Sequence, residues 1–186
     1  HPEEPHGVDD RLFSDDDEVM QAAVRRIIQE AAHDSDLEDR LVDLLQTSLD
    51  LANDDSSASI WATVILGELE CEKAVNVLLQ SLASEEDETL QDAAQVALLR
   101  IGEPAVRALM EKMEEGEDPG LSPPGYRLLG QAGVLGDEGL RARIMDFLES
   151  RVETERRMPP ARGALESLFF ASAYLGDRRQ IEVMKR

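Results

Sequence analysis

Acid–base, nucleophilic and metal chemistry draw heavily on His and Cys, and this chain has few of either: His1, His6, His33 and the single Cys71 among 186 residues. A serine triad needs an imidazole to take the nucleophile's proton, and beyond the N-terminal stretch only His33 offers one. The zinc signature His-Glu-x-x-His and paired cysteines are absent. Asp34-Ser35-Asp36-Leu37-Glu38-Asp39 opens like a calcium loop. Its sixth position is Asp39 where glycine is needed and its twelfth is Leu45 where a glutamate is needed, so helix capping explains these acids better. No Lys-Ser or Lys-Thr follows Gly130, so Gly125 to Gly130 is no phosphate loop. Cys71 has only Lys73 as a basic neighbour and is expected to be a small, semi-buried turn residue. His1 and His6 beside Asp9 and Asp10 are the remaining chelating candidates, but a mobile arm would lose its full conformational freedom on binding. The expectation is a protein with no cofactor, no metal and no enzymatic role.

One cluster has recognition chemistry. Arg151, Arg156, Arg157 and Arg162 surround Met158-Pro159-Pro160. Guanidinium groups bind carboxylate or phosphate in bidentate fashion, which makes this corner a candidate partner-binding site. The same arginines can instead pair with Glu149, Glu153 and Glu155 alongside. The wider charge distribution is lopsided. Residues 1–120 carry 8 Lys or Arg against 31 Asp or Glu, which is −23; residues 121–186 carry 11 against 9, which is +2. An acidic surface repels phosphates, so nucleic acid is not an expected partner, whereas a basic protein segment is. Only Lys73, Lys112 and Lys185 are lysines, and an acidic, lysine-poor surface equally fits a saline environment or a GC-rich genome.

The elements that carry these residues are helical. Ala and Leu are abundant and no segment is dominated by Val, Ile and Thr, which favours helix over sheet. Residues 1–16 combine prolines, glycine and acids and are expected to form a poorly ordered arm, with Leu12 and Phe13 as a staple ahead of a Ser14 cap. Val19, Ala22, Ala23, Ile27 and Ile28 then recur at helical spacing. Ser35 or Asp36 caps a second helix bearing Leu37, Leu41, Leu44, Leu45 and Leu49. From there one phrase returns: Leu66-Gly67-Glu68, Ile101-Gly102-Glu103, Leu135-Gly136-Asp137 and Leu175-Gly176-Asp177. The glycines stand 35, 34 and 40 residues apart, a period belonging to stacked helix pairs.

Alignment on those glycines assigns jobs. Six positions earlier stand Trp61, Val96, Gly130 and Phe170, where a large side chain is expected to fill the core. Five positions earlier stand Ala62, Ala97, Gln131 and Ala171, where a small one lets helices approach. Gly67, Gly102, Gly136 and Gly176 are expected to end their helices in a left-handed conformation, and the acid that follows favours the start of the next helix. Helices are predicted over 57–68, 72–83, 88–101, 104–115 and 125–135, with Leu140, Ile144, Met145, Phe147 and Leu148 on the partner of the last. Residues 116–124 (GEDPGLSPP) read as a loop that separates the acidic part from the arginine-bearing part. Gly130 and Gly133 each cost a helix about 1 kcal/mol, which close packing against a neighbour or a kink would explain.

The stretch Ala93-Ala94-Gln95-Val96-Ala97-Leu98-Leu99-Arg100-Ile101-Gly102-Glu103-Pro104-Ala105-Val106-Arg107-Ala108-Leu109 resembles the HEAT-like repeat of the phycobilin-lyase type. Ala62 to Glu68 and Ala74 to Leu79 resemble it too. The likeness covers 57–115 well, 124–186 loosely and 17–55 by helix pattern alone. That family often has an arginine eleven residues before the glycine. Ser56, Gln91, Gly125 and Leu165 hold those positions here, which predicts that the family's inter-repeat ladder is missing.

The resemblance implies an all-α protein, an α-solenoid of about five antiparallel helix pairs forming one domain over 17–186. No stretch approaches the length of a membrane span, and nothing at the start reads as a signal peptide, so a cytoplasmic protein without membrane contact is expected. Function is expected to be non-catalytic: a protein-binding or scaffold module that takes a basic segment on its acidic face, with the second helices of the pairs lining it. Self-assembly, head-to-tail or dimeric, is the alternative, and an accessory chromophore lyase a third. The last helix, some nine residues long, finishes the fold tersely, continues in a longer chain or is completed by another chain.

Overall fold

A computed structural model describes residues 17–31, 36–51, 56–84, 87–116, 119–157 and 164–176. The expected arm, all three histidines, Arg162 and the last nine-residue helix lie outside them. The described residues form nine α-helices and no strand, as the Ala- and Leu-rich composition predicts. They divide into two compact units between Ile101 and Gly102, so residues 116–124 fall inside the second unit.

The first unit contains α1 (Asp17–Glu30), α2 (Leu37–Leu51), α3 (Ser56–Glu68), α4 (Val75–Ala83) and α5 (Glu88–Ile101). Helix α3 packs against α1, α2 and above all α5, and α4 packs against α2 and α5. The stripe of α2 is as predicted, with Leu37, Leu41, Leu44 and Leu45 buried. On α1 the buried face is Ala23, Val24 and Ile27; Val19 is exposed, so the stripe is rotated from its expected position. Val75, Val77, Leu78, Leu79 and Leu82 of α4 meet Leu90, Leu98 and Ile101 of α5 in the core of this unit.

The second unit contains α6 (Glu103–Glu115), α7 (Ser122–Leu135), α8 (Glu138–Arg157) and α9 (Ala164–Tyr174). Helix α7 touches all three others, and α9 most extensively. Residues 116–124 are less of a loop than expected. Gly116 ends α6 at φ 70°, a single 3-10 turn spans Pro119–Leu121, and α7 already begins at Ser122. Pro123 and Pro124 fit its first turn, because amides there lack helical partners in any case.

The four repeated glycines do different jobs, which corrects the expectation of a shared left-handed stop. Gly176 takes it, at φ 70°. Gly102 has positive φ (78°) with ψ −130° and alone separates α5 from α6. Gly136 is extended, at φ −80° and ψ 178°. Gly67 lies inside α3, because close packing and not chain reversal needs it: a Cβ there would stand 2.7 Å from Ala97 Cα. The left-handed turn after α3 is made by Glu70 at φ 50°, with Cys71 N donating to Leu66 O (3.0 Å) and Glu70 N to Gly67 O (3.1 Å). That is a Schellman stop with the wrong residue in its strained place. Glu70→Gly is therefore expected to raise the stability of this unit by about 1 kcal/mol, read by urea unfolding; no gain would mean the strain is compensated elsewhere.

Acids do start helices. Asp87 Oδ1 accepts from Thr89 N (2.9 Å) and Leu90 N (3.0 Å) ahead of α5, and Asp137 Oδ1 accepts from Leu140 N (2.7 Å) ahead of α8. Gln91, where the resembled family has arginine, donates instead to Leu82 O (2.9 Å) and Ser84 O (3.2 Å) and closes the end of α4. Ion pairs join alternate helices: Lys73, just before α4, to Asp39 of α2 (2.9 Å), Arg100 of α5 to Glu68 of α3 (2.5 Å) and Arg143 of α8 to Glu103 of α6 (2.5 Å). All are exposed enough to be worth little individually.

Candidate functional site

Of the expected partner-binding arginines, Arg151 is buried, only 9% exposed, and its Nε donates to the phenol oxygen of Tyr126 at 3.3 Å inside the second unit. That places Arg151 in the interior and not on an exposed corner. Arg156 and Arg157 lie in the last turn of α8, and Arg162 falls outside the described residues. Cys71 is buried, more so than expected; burial, and next the charge of Glu38, pushes its thiol pKa up, which keeps it protonated and unreactive at neutral pH. Among the described residues no group of three or more His, Cys, Asp or Glu is placed to hold a metal ion.

The grooves lie elsewhere, between α3 and α5 in the first unit and between α7 and α9 in the second. In the first unit, Ala97 faces Gly67 and Arg100 pairs with Glu68, contacts that advance together along α3 and α5 and mean the two helices run in the same direction. Between them runs a groove of about 340 Å3, floored by Ile60, Val64, Ala93 and Ala97 and rimmed by Val96, Glu68, Thr89, Asp92 and Arg100. Arg100 is committed to Glu68, so Asp92 leaves the rim net negative. In the second unit, Gly130 faces Ala171 and Gly133 faces Leu175, so α7 and α9 also run in parallel. Their groove, about 470 Å3, is lined by Arg127, Gly130, Gln131, Glu166, Ser167, Phe170, Ala171 and Tyr174.

One wall of the two grooves is built alike. Counted back from Gly102, α5 contributes, besides Thr89, positions ten, nine, six, five and two: Asp92, Ala93, Val96, Ala97 and Arg100. Counted back from Gly176, α9 contributes the same five: Glu166, Ser167, Phe170, Ala171 and Tyr174. The position six before the glycine, expected in the core, is thus a groove position. Val96 is 54% exposed, Phe170 is 64% exposed and Trp61 is half-buried. The reason is that its small neighbour, Ala97 or Ala171, is the residue turned onto the adjacent helix, which swings the large one out to the rim. The expectation for the small position holds: Ala62, Ala97 and Ala171 are buried.

Between second helices the surface has another character. The α6–α8 depression holds Arg107, Glu111, Glu114, Arg143 and Asp146 around Met110 and Phe147. Mixed charges beside little apolar area make a solvated seam, whereas the first-helix grooves offer apolar floors that water covers poorly. No helix of the described residues is long and apolar enough to cross a membrane. No known protein family, curated protein or solved structure matches this chain.

Proposed function

We propose that this protein is a non-catalytic, cytoplasmic interaction module built of HEAT-like helix pairs, about five in all, and that it binds basic, amphipathic protein segments. The repeat reading rests on contacts one period apart. Asp39–Lys73 and Gln46–Gln80 are each separated by 34 residues and join α2 to the 3-10 turn before α4 and to α4 itself, one pair further on. First helices lie side by side in each unit, the arrangement by which stacked pairs bury a shared core.

The observation that carries the binding proposal is the α3–α5 groove: an apolar floor, a rim left net negative by Asp92, in a stretch of chain with 31 acids against 8 bases. An incoming helix that lays Leu or Val on Ile60, Val64 and Val96 and carries lysines along its edges matches both features. The groove on the first helices is favoured over the second-helix face expected from sequence because only the former combines apolar floor with exposure.

Trp61, the single tryptophan, is the neighbour of the groove residue Ile60 on α3 and serves as the nearest fluorescent reporter. Titration with a leucine–lysine amphipathic peptide is expected to shift its fluorescence, with affinity falling as salt is raised past the point where the screening length drops below about 10 Å. The same peptide with glutamate for lysine is expected not to bind, and Val96→Glu to abolish binding of the lysine form. Equal binding of both peptides, or of neither, would refute the proposal.

A further inference from the structure

We infer that the α7–α9 groove is a self-association site at which two copies of this chain pack their second units about a twofold axis running along the groove. This goes beyond the binding role of the α3–α5 groove and does not depend on it. Of the six large apolar side chains exposed among the described residues, four sit on these two helices: Val134, Leu135, Phe170 and Tyr174, at 52%, 74%, 64% and 71%. Scattered exposed apolar residues are ordinary, but four on two packed helices, with Phe170 and Tyr174 lining the groove between them, make a surface that asks for a cover.

The register says what covers it. Gly130 is level with Ala171 and Gly133 with Leu175. On parallel helices this puts Gly130 beside Phe170, Val134 beside Tyr174, and Arg127 within about two residues, or roughly 3 Å of rise, of Glu166. A twofold axis midway between α7 and α9 and parallel to both exchanges the two helices without sliding them. That single operation lays Phe170 of each copy over the hole at Gly130 of the other, and Tyr174 over Val134. It also sets Arg127 against Glu166 twice, once on each side, as an isologous contact must. Neither Arg127 nor Glu166 makes an ion pair among the described residues, and the groove of about 470 Å3 has the depth for an aromatic ring. Electrostatics favour this part of the chain over any other: residues 121–186 carry +2 in a protein of −21, so copies that meet here repel least.

Sedimentation velocity of the full chain from micromolar to millimolar concentration tests the inference. The expected result is a concentration-dependent dimer. Phe170→Ser, Arg127→Glu and Glu166→Arg should each weaken it by at least about tenfold with circular dichroism unchanged, since each reversal turns two attractive contacts repulsive. Arg127→Glu combined with Glu166→Arg should restore association to within about threefold, because the swapped charges meet again across the axis. A monomer at every concentration overturns the inference and leaves the groove to a segment of another protein. A dimer indifferent to Phe170→Ser, or a double swap that fails to restore it, overturns it equally.

Discussion

Tyr126→Ala is expected to cost the second unit about 3–5 kcal/mol, a large fraction of the roughly 5–15 kcal/mol that a domain has to lose. Tyr126 is fully buried on α7 and heads the largest of the completely enclosed side chains. Its removal leaves a ring-sized void that rigid neighbouring helices close only in part. A second penalty adds to the first, because the phenol oxygen accepts from Arg151 Nε in a place where water reaches poorly. Loss of one of its acceptors costs a buried guanidinium more than an exposed one. Tyr126→Phe separates the two effects: it keeps the ring, loses the oxygen and should cost only about 1–2 kcal/mol, given the 3.3 Å contact. Urea unfolding followed by far-ultraviolet circular dichroism, with hydrogen exchange on α7 and α8, gives both numbers. If the alanine variant lost no more than the phenylalanine one, Tyr126 would not be a packing residue.

Gly67→Ala is the second large effect, and its sign is the point of interest. Alanine is the better helix former by about 1 kcal/mol, so a glycine inside α3 invites the exchange. The added Cβ, however, would lie 2.7 Å from Ala97 Cα and 2.8 Å from its Cβ. Backbone cannot rotate away as the end of a side chain can, so α3 and α5 must separate along the face where they pack most closely. Overpacking of that kind costs about 1–3 kcal/mol, and Gly67→Val should cost more. Gly133→Ala is the useful contrast: its nearest neighbour is Leu175 Cδ2, the flexible end of a side chain, at 2.5 Å, and a smaller loss is expected. Thermal unfolding of Gly67→Ala, followed at Trp61 in the same helix, decides it; a rise in midpoint would show that helix propensity outweighs the clash. The same separation would widen the α3–α5 groove, so peptide affinity and stability are expected to fall together in this variant.

The charged groups offer less leverage. Lys73 has its pKa raised by the hydrogen bond and charge of Asp39. Its small contribution is therefore present below the ordinary lysine value of 10.5 and is lost as pH rises above it, outside the neutral range. Salt is accordingly the better probe of this surface than pH.

Several features are legible in the amino-acid sequence alone. Helix class and most boundaries follow from apolar spacing and from breakers, as in α2, where Leu37, Leu41, Leu44 and Leu45 recur at helical steps and all are buried. The repeat period was visible in the four Gly-acid phrases, and the small residue five places before each glycine reads directly as a close-approach position: three of the four are alanines, and all three are buried.

Other features depend on where neighbouring helices lie. Spacing along one helix defines a face but not which of two adjacent residues meets the neighbour, so Val96 and Phe170 read as core while Ala97 and Ala171 took that place. Glycine identity likewise does not reveal whether a bend or a contact requires it. Gly67 is helical against Ala97, while Glu70 makes the left-handed turn. Arg151 looked like a surface charge beside other arginines, and only the approach of Tyr126 from α7 makes it an interior one. The sequence by itself determined the helices, their period and their charge; tertiary structure decided which residues form the grooves, because a groove belongs to two helices and its depth is set by how closely their backbones approach.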